Sequence, residues 1–346
     1  MPKAVKMRWR ERPKLQDVAK AAGVSPATVS RVLNNPKIVR PAVQQKVRRA
    51  ISSLGFTPDA AARALKSRKS RTVGAVVPTL GVAIFAEGIG ALQNRLRDHG
   101  YTLLIASSEY DREKERQEIG VLLDRGVDGI VLVGDRFADD VEALARRYDI
   151  PLLTTYISKS SRRIPAIGAD NGQAMREVTE HLIELGHREF SVVTDAAKSN
   201  DRTAARRDGV VTALAAKGIK LSPNRIVKVP YSIASGRAAL RTLLRTSPEA
   251  TAIVCTSDAL AIGVIAESKT LGMVVPRDVS VTGCDDIEIS GHTDPPLTTI
   301  NMPAAEIGQL AADHLSALIS GSPVPLVNQL PARLVIRNSS AAPSLR

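Results

Sequence analysis

The sequence predicts an α/β protein with an N-terminal all-α helix-turn-helix head and a two-lobed body of doubly wound parallel sheets. The first observation is charge. The first 72 residues contain eighteen Lys or Arg against three Asp or Glu, a net charge of +15, whereas the whole chain carries +13. The others are helical periodicity in residues 15–54 and, from Val73, short apolar runs that alternate with helical stretches. A basic end on a near-neutral body indicates a head that binds a polyanion.

Length and composition are those of an ordinary globular protein. The 346 residues are too many for one small core, and 44% are hydrophobic and 24% charged. Cys255 and Cys284 each follow an apolar run, so we expect buried thiols in a reducing cytoplasm rather than a disulfide. The N-terminus lacks the apolar segment of a signal peptide, and no run approaches the roughly 18 apolar residues of a membrane span. We therefore predict a cytoplasmic protein with no membrane partner.

The basic segment has the pattern of three short helices. Apolar residues at helical spacing predict a first helix over 15–22, and Gly23 follows as a turn residue. Ser25 stands at the N-cap position of a second helix, about 25–34, and residues 43–54 give a third amphipathic helix. Two helices joined through a glycine-containing turn and braced by a third form a helix-turn-helix, whose second helix enters the major groove of DNA.

The body alternates apolar runs with helical stretches. The runs, which we predict to be buried strands, are Val73–Val77, Tyr101–Ala106, Gly129–Val133, Leu152–Thr155, Phe190–Val193, Ile226–Val229, Ala252–Cys255 and Val279–Gly283. The helical stretches lie at about 84–98, 112–125, 139–147, 171–185, 203–217, 235–246 and 258–271. Such alternation predicts parallel sheets in two doubly wound lobes.

Small hydroxyls and carboxylates follow the carboxyl ends of the strands. They are Ser107-Ser108, Gly134-Asp135, Thr155-Tyr156, Thr194-Asp195, Ser257-Asp258 and Cys284-Asp285. Ligands of open α/β sheets bind outside the carboxyl ends of the strands, so this edge suits a hydroxyl-rich small molecule.

Motifs of an enzyme are missing from the sequence. There is no GxGxxG, Walker or HExxH motif, and the five histidines are scattered without a nucleophile beside them. We therefore predict no catalytic residue, no metal site and no cofactor. A periplasmic receptor would share the fold of the body, but it would need a signal peptide and would not carry so basic a head.

Two segments of the head resemble the lac repressor/purine repressor (LacI) family of bacterial transcription factors. Residues 15–34, LQDVAKAAGVSPATVSRVLN, are similar to the family's helix-turn-helix, and residues 54–65, LGFTPDAAARAL, to its hinge. The resemblance implies a DNA-binding regulator, a repressor, with a periplasmic-binding-protein-like body. It also implies a homodimer on pseudo-palindromic, double-stranded operator DNA, with a small-molecule effector in the cleft between the lobes.

The resemblance assigns ten residues to DNA. They are Lys14, Ser25, Pro26, Ala27, Thr28, Ser30, Arg31, Asn34, Arg63 and Leu65. Arg31 matches the position that reads a base edge, where Arg usually binds guanine O6 and N7, and Pro26 and Ala27 stand at two variable reading positions. The hydroxyl and amide side chains would contact phosphates, although Ser25 suits a pure helix cap equally well. Lys14 stands where the family usually has a residue that caps the first helix. We therefore expect a weaker cap there and a positive charge that attracts phosphate.

The hinge, residues 58–66, is predicted to form a helix only on DNA. A helix of about nine residues is marginal in water, so it should fold on the operator. Leu65 matches the family's wedge, which enters the minor groove and kinks the central step. The alternative is that Leu65 packs only on the hinge of the partner subunit. Arg63 would lie along the DNA backbone beside the kink.

The resemblance to the LacI family continues more loosely through the body, where Arg206 in Arg206-x-x-Gly209 and Asp285 in Gly283-Cys284-Asp285-Asp286 match its effector-binding positions. With the matching aromatic positions and the strand ends, it implies six candidate effector contacts. They are Phe85, Tyr156, Arg206, Tyr231, Ser257 and Asp285. An Asp and an Arg can bond vicinal hydroxyls while aromatic rings pack on a sugar face, so we expect a sugar, sugar acid or sugar derivative. A purine nucleobase that acts as corepressor is the alternative. Cys284 and Ser257 replace a Tyr and an Asn that are common in the family, which leaves the identity of the ligand open.

Further cations stand near these positions in the sequence. They are Lys159, Arg162, Arg163, Arg202 and Arg207. If several face the cleft, the ligand can carry a carboxylate or a phosphate. The alternative is that Arg202 and Arg207 are solvated surface charges.

The predicted domain organisation has four segments. They are a basic arm (1–12), a helix-turn-helix domain (13–57), a hinge helix with linker (58–72) and an effector-binding and dimerisation domain (73–340). Within the last segment, lobe 1 is expected at about 73–166 plus 301–324, and lobe 2 at about 168–298 plus 328–340.

Overall fold

The chain divides into a head that ends at Ser70 and a body that begins at Arg71 in the computed structural model, which describes residues 13–57 and 69–344. The helices of the head are α1 (Leu15–Ala22), α2 (Pro26–Asn34) and α3 (Pro41–Leu54), with a 3-10 turn at Pro36–Ile38. One residue of each helix, Val18, Val29 and Val47, is fully buried in their common core. The predicted helix-turn-helix is therefore confirmed.

The first helix is capped by its own third residue. The backbone N–H of Lys14 donates to Asp17 Oδ2 at 2.7 Å, while the ammonium of Lys14 has no acceptor to offer. An acidic residue in the first turn also suits the positive end of the helix dipole. Asp17 thus offsets the weak cap expected from Lys14. At the other end, Gly23 (φ 65°) closes the helix in the left-handed conformation.

The body is built from twelve strands and eight helices within the described residues. The strands are β1 (Thr72–Val77), β2 (Thr102–Ser107), β3 (Gly129–Val133), β4 (Leu152–Thr155), β5 (Ala166–Gly168), β6 (Phe190–Asp195), β7 (Ile226–Val229), β8 (Ala252–Cys255), β9 (Ser280–Thr282), β10 (Thr299–Asn301), β11 (Val327–Gln329) and β12 (Arg333–Val335). The helices are α4 (Ala83–Asp98), α5 (Arg112–Asp124), α6 (Val141–Arg147), α7 (Asn171–Glu184), α8 (Asp201–Ala216), α9 (Ile233–Thr246), α10 (Asp258–Thr270) and α11 (Ala304–Ile319).

Two parallel sheets define the two lobes. Lobe 1 has the strand order β11-β5-β4-β3-β1-β2, lobe 2 has the order β7-β6-β8-β9, and every neighbouring pair in both sheets is parallel. The antiparallel pair β10 and β12 stands apart from both. The chain therefore crosses between the lobes three times: after β5, between β10 and α11, and after β11. The two-lobed α/β architecture predicted from the sequence is confirmed.

The four strands that the apolar runs did not predict are β5, β10, β11 and β12. Each has only three residues, too few for a periodicity to be visible. The last of these in lobe 1, β11, pairs with β5 along Val327–Gln329. The chain therefore re-enters lobe 2 after Gln329, slightly later than the expected boundary at 328.

Buried side chains fill the space between sheets and helices. Both cysteines are buried free thiols, as expected, and burial raises the pKa of both. No helix among residues 13–57 and 69–344 is long and apolar enough to cross a membrane.

Candidate functional site

The second helix of the head presents one face to its neighbours and the other to solvent. Ser25 Oγ accepts the backbone N–H of Thr28 at 3.2 Å, so Ser25 is the cap that starts α2. Val29 and Val32 are buried on the inner face. The predicted DNA contacts Pro26, Ala27, Arg31 and Asn34 are exposed on the outer face, with Thr28 and Ser30 partly so. This arrangement leaves the side chains that would read or contact DNA free of the core.

Two of the predicted phosphate contacts are also bonded to each other. Asn34 Nδ2 donates to the carbonyl of Ser30 at 2.9 Å and to its Oγ at 3.2 Å. Arg31, in contrast, makes no ion pair with any residue of the described chain, so its guanidinium is available to a base edge. The other two predicted DNA contacts, Arg63 and Leu65, lie outside the described residues.

A buried polar cluster in lobe 2 brings together four of the six predicted effector residues. Arg206 lies on α8, Asp285 follows β9, Tyr231 precedes α9, and Ser257 caps α10. Arg206 Nη1 lies 2.9 Å from Asp285 Oδ1, and the Tyr231 hydroxyl donates to Asp285 Oδ2 at 2.7 Å. Burial raises the pKa of Tyr231 well above its ordinary value, so Tyr231 remains a neutral donor to the carboxylate. The predicted Asp–Arg–Tyr set is thus a self-paired unit in this structure.

The remaining bonds of Arg206 are to two residues of lobe 2, one of which links it to lobe 1. Its Nε donates to Asn171 Oδ1 at 2.8 Å, and its Nη1 donates to the Thr256 carbonyl at 2.9 Å. Asn171 in turn donates through Nδ2 to the carbonyl of Tyr156 at 2.9 Å, just past β4 of lobe 1. Gly209 positions Arg206, because a Cβ there would overlap the carbonyl of Gly172 and push α8 away from α7.

Backbone conformation marks the same residues. Asp285 has φ 134° and Tyr156 has φ 63°, values that L residues rarely adopt. Such strain persists only where the surrounding contacts impose it, and it concentrates at functional sites. At Asp285 those contacts are the bonds from Arg206 and Tyr231 given above.

The two aromatic candidates of lobe 1 pack against each other. The ring centroids of Phe85 and Tyr156 are 5.2 Å apart at an interplanar angle of 80°, an edge-to-face contact. The Tyr156 hydroxyl donates to the carbonyl of Ile84 at 3.0 Å, and both rings are buried. They belong to the core of lobe 1 at its boundary with the polar cluster.

A cavity of about 690 Å³ opens between the lobes beside this cluster. Its lining residues are Arg112, Asp135, Arg136, Ile157, Ser158, Lys159, Ser160, Ser161, Arg162, Ala169, Asp170, Asn171, Lys198, Ser199, Asp201, Arg202 and Ala205. None of the six effector residues taken from the sequence lines this space, although Arg206 follows Ala205 directly. Four of the lining residues were nevertheless singled out in the sequence. Asp135 follows the carboxyl end of a predicted strand, and Lys159, Arg162 and Arg202 are among the further cations. The serines at 158–161 and Ser199 lie in loops, where no sequence periodicity singled them out.

Hydrogen bonds beside the cavity join the two lobes, and we call this set the lobe bridge. Asp201 Oδ2 accepts the backbone N–H of Asp135 at 2.6 Å, and Arg202 Nη1 donates to the Val133 carbonyl at 3.2 Å. Arg136 Nη1 donates to the Lys198 carbonyl at 2.7 Å. Arg202 also pairs with Asp201 at 2.7 Å, and its side chain is only 7% exposed. The idea that Arg202 is a solvated surface charge is therefore wrong, whereas Arg207 is partly exposed and pairs with its neighbour Asp208.

Substitution of Gly134 by Ala is expected to open the lobe bridge. Gly134 has φ 82°, and a Cβ would overlap Arg202 Nη1 and Asp201 Oδ1. The left-handed conformation alone disfavours Ala by about 1–2 kcal/mol. The backbone N–H of Asp135 donates a hydrogen bond to Asp201 in the lobe bridge. We expect this amide proton to exchange with solvent roughly tenfold faster in the variant. Gly120→Ala in α5 is the control, because nothing lies within 4 Å of its added Cβ. Equal exchange at Asp135 in both variants would show that the bridge tolerates the methyl group.

The comparisons with known proteins agree on one family. Residues 14–59 match the family model of bacterial regulatory proteins of the lacI family, and residues 179–340 match the periplasmic binding protein-like domain. The HTH-type transcriptional repressor CytR of Escherichia coli is 31% identical over 329 residues, which cover 95% of this chain and 96% of that protein. The chain belongs to the lacI family of bacterial regulatory proteins.

Two solved structures of transcription regulators are similar over nearly the whole chain. One is the lac repressor dimer bound to operator and the anti-inducer ONPF, with a TM-score of 0.85 and 27% identity, covering 96% of this chain and 100% of that one. The other is the transcriptional regulator CelR–cellobiose complex, with a TM-score of 0.71 and 27% identity, covering 95% and 100%. This lacI-family chain is a DNA-binding transcriptional regulator, and its relatives are regulators rather than enzymes.

Proposed function

We propose that this chain is an effector-controlled repressor that binds a pseudo-palindromic operator as a homodimer. Arg31 reads a base edge from the exposed face of α2, and Ser25, Thr28, Ser30 and Asn34 set the helix on the phosphates. A two-fold dimer would place two such helices on two half-sites, which is why the operator should have two-fold symmetry. The lac repressor structure, a dimer on its operator, supports this arrangement.

The effector is a sugar, sugar acid or sugar derivative that binds between the lobes. The observation that carries this assignment is the cavity of about 690 Å³, within the usual size range of small-molecule sites, roughly 300–1,000 Å³. Serine hydroxyls, the Asn171 amide and carboxylates line it, which are the groups that bond ligand hydroxyls. The CelR structure contains cellobiose, so a similar fold accommodates a carbohydrate.

The lobe bridge gives the effector a means of control. A ligand that bonds Asn171, Asp201 or Arg202 competes with or reinforces contacts between the lobes, and so changes their relative orientation. A ligand can shift that equilibrium only by its difference in affinity for the two orientations. The coupling must also be reciprocal: if effector weakens operator binding by a given factor, operator weakens effector binding by the same factor.

Two measurements on the full chain test this function. Selection from a random duplex library should return a motif with two-fold symmetry, and an asymmetric motif would contradict the dimeric operator complex. A thermal-shift screen against sugars, sugar acids, sugar phosphates and purines should raise the melting temperature with a member of the sugar classes, because a ligand of the folded state stabilises it. A response to purines alone would replace the proposed ligand by a nucleobase. The ligand that binds should then change the affinity for the selected duplex.

A further inference from the structure

The cavity between the lobes is lined by more cations than carboxylates. The cations are Arg112, Arg136, Lys159, Arg162, Lys198 and Arg202, and the carboxylates are Asp135, Asp170 and Asp201. Arg162 is neutralised from outside the lining by Asp139 and Glu142, at 2.7 and 3.3 Å, and Arg112 lies 3.6 Å from Asp139. Arg136, Lys159 and Lys198 have no carboxylate within 4.0 Å in the described part of the chain. The positive charges of these three side chains are therefore available to pair with a ligand.

Arg202, the most buried cation of the lining, has N–H donors that no protein group among the described residues uses. The Arg202 side chain is 7% exposed, and both its bond to Val133 and its pair with Asp201 use Nη1. Its Nε and Nη2 donate to no group among residues 13–57 and 69–344, yet neither atom is sealed from solvent. Because Arg202 lines the cavity, these two nitrogens offer a planar pair of N–H groups to a ligand there.

The carboxylates of the lining are already engaged. Asp135 accepts from Ser160 Oγ at 2.7 Å and from the backbone N–H and Oγ of Ser161 at 2.7 and 2.6 Å. Asp170 caps α7 through the N–H of Gln173, and Asp201 holds the lobe bridge. Asp135 and Asp201 therefore have both carboxylate oxygens bonded within the protein, and Asp170 has one. Asp135 and Asp170 bond neutral groups and keep their negative charge, so within the described residues the lining has unused donors and three unpaired cations against two unpaired carboxylates.

We propose that the effector carries an anionic group, a carboxylate or a phosphate, which Arg202 binds inside the cavity and Lys159, Lys198 and Arg136 attract at its rim. This inference rests on the proposed function, because it takes the interlobe cavity as the effector site. A guanidinium edge matches the two oxygens of either anion and forms charge-assisted bonds with them. An excess of positive over negative charge in the lining also favours ligands of negative charge. The lone pairs of the serine hydroxyls remain to accept from the hydroxyl groups of the same molecule.

Two further acidic groups lie within electrostatic reach of Arg202, Glu115 and Asp285, and Asp285 is already paired with Arg206. Glu115 on α5 is half-buried near Arg202 and Asp201, and burial raises its pKa to about 7. At neutral pH a large share of the Glu115 side chains is therefore protonated and uncharged. The repulsion that an incoming anion meets from this side is correspondingly reduced.

The first experiment uses inorganic phosphate as the probe of the anion site. Phosphate is titrated into the full chain by calorimetry at constant ionic strength, with chloride as the balancing ion. Since the basic head also attracts phosphate, the readout is the difference between wild type and a cavity variant. Lys159→Gln/Lys198→Gln should raise the Kd of phosphate roughly fivefold, and Arg202→Gln should abolish binding in the cavity. The control Lys217→Gln/Lys220→Gln removes two exposed charges from lobe 2 outside the cavity and should leave the Kd unchanged.

The second experiment compares matched ligands. Glucose, gluconate and glucose 6-phosphate, and likewise ribose and ribose 5-phosphate, are ranked by thermal shift and by calorimetry. The charged member of a set should bind about tenfold more tightly than its neutral partner. Lys159→Gln/Lys198→Gln should reduce this preference, and circular dichroism confirms that the variant is folded.

Two results would overturn the anionic effector. One is a phosphate Kd that is equal in wild type and in Lys159→Gln/Lys198→Gln. The other is a neutral sugar that binds as tightly as its acid or phosphate. The operator selection described above separates this failure from a failure of the proposed function. A chain that selects a symmetric duplex and binds only neutral sugars keeps its function as a repressor and loses the anionic ligand.

Discussion

Replacement of Arg31 by Ala is expected to lower affinity for the selected operator about 10- to 100-fold and to remove one base preference in each half-site. The physical reason is that a bidentate contact from Arg to a guanine edge discriminates by about 1–3 kcal/mol. Arg31 is exposed on α2 and has no ion pair in the described chain, so the folding of the head should not change. Fluorescence anisotropy with the selected duplex and a scrambled one, followed by selection with the variant, measures both effects.

The control for Arg31 is an exposed cation on a different helix. Arg49 lies exposed on α3, away from the reading face of α2. Arg49→Ala removes the same charge, so any loss of affinity should be similar on both duplexes, as for a phosphate contact. If Arg31→Ala also weakens both duplexes equally and returns the wild-type motif, Arg31 contacts phosphate and does not read a base.

Replacement of Asp285 by Ala is expected to lower the free energy of unfolding of the body by about 3–5 kcal/mol. Asp285 is the carboxylate partner of Arg206 at 2.9 Å, and the side chains are 2% and 7% exposed. Removal of the carboxylate leaves a buried guanidinium without a counter-charge and the Tyr231 hydroxyl without its acceptor. Urea unfolding followed by circular dichroism measures the change. Response to effector should be lost in the same variant, since the cluster beside the cavity can no longer keep its geometry.

A surface ion pair of the same length provides the matched comparison. Lys269 Nζ and Asp294 Oδ2 are also 2.9 Å apart, but the side chains are 73% and 85% exposed. Asp294→Ala should leave the unfolding midpoint near that of wild type, because water and salt screen an exposed pair. A midpoint for Asp285→Ala that equals that of Asp294→Ala would mean that Arg206 is solvated or finds another counter-charge once Asp285 is gone.

Local signals were enough to predict the head and most of the body. The cap at Ser25, the glycine after α1 and the apolar spacing of the three helices act over a few residues, and the structure has all three helices. The eight apolar runs of the body are all strands, and six of them are buried, as an unbroken apolar segment predicts. The expected burial is wrong for β2 and β7, because each lies at the edge of its sheet and is partly exposed. The resemblance to the LacI family added roles for individual residues, which local patterns cannot supply. The roles in DNA reading and effector binding stay predictions.

Contacts between residues far apart in the sequence became visible in the folded structure alone. Strands of three residues such as β5 and β11 are too short to be visible in the sequence, and their pairing sets where the chain changes lobes. The same holds for charge: Arg202 and Arg207 look alike in the sequence, but one is buried in the lobe bridge and the other is partly exposed beside Asp208. The fold class, the helix-turn-helix and the candidate residue types could be predicted from the amino-acid sequence, since these follow from periodicity and chemistry along the chain. The pairing of Arg206 with Asp285 and the charged lining of the cavity arise only when segments far apart in sequence are packed together, because burial and neighbours are properties of the folded chain.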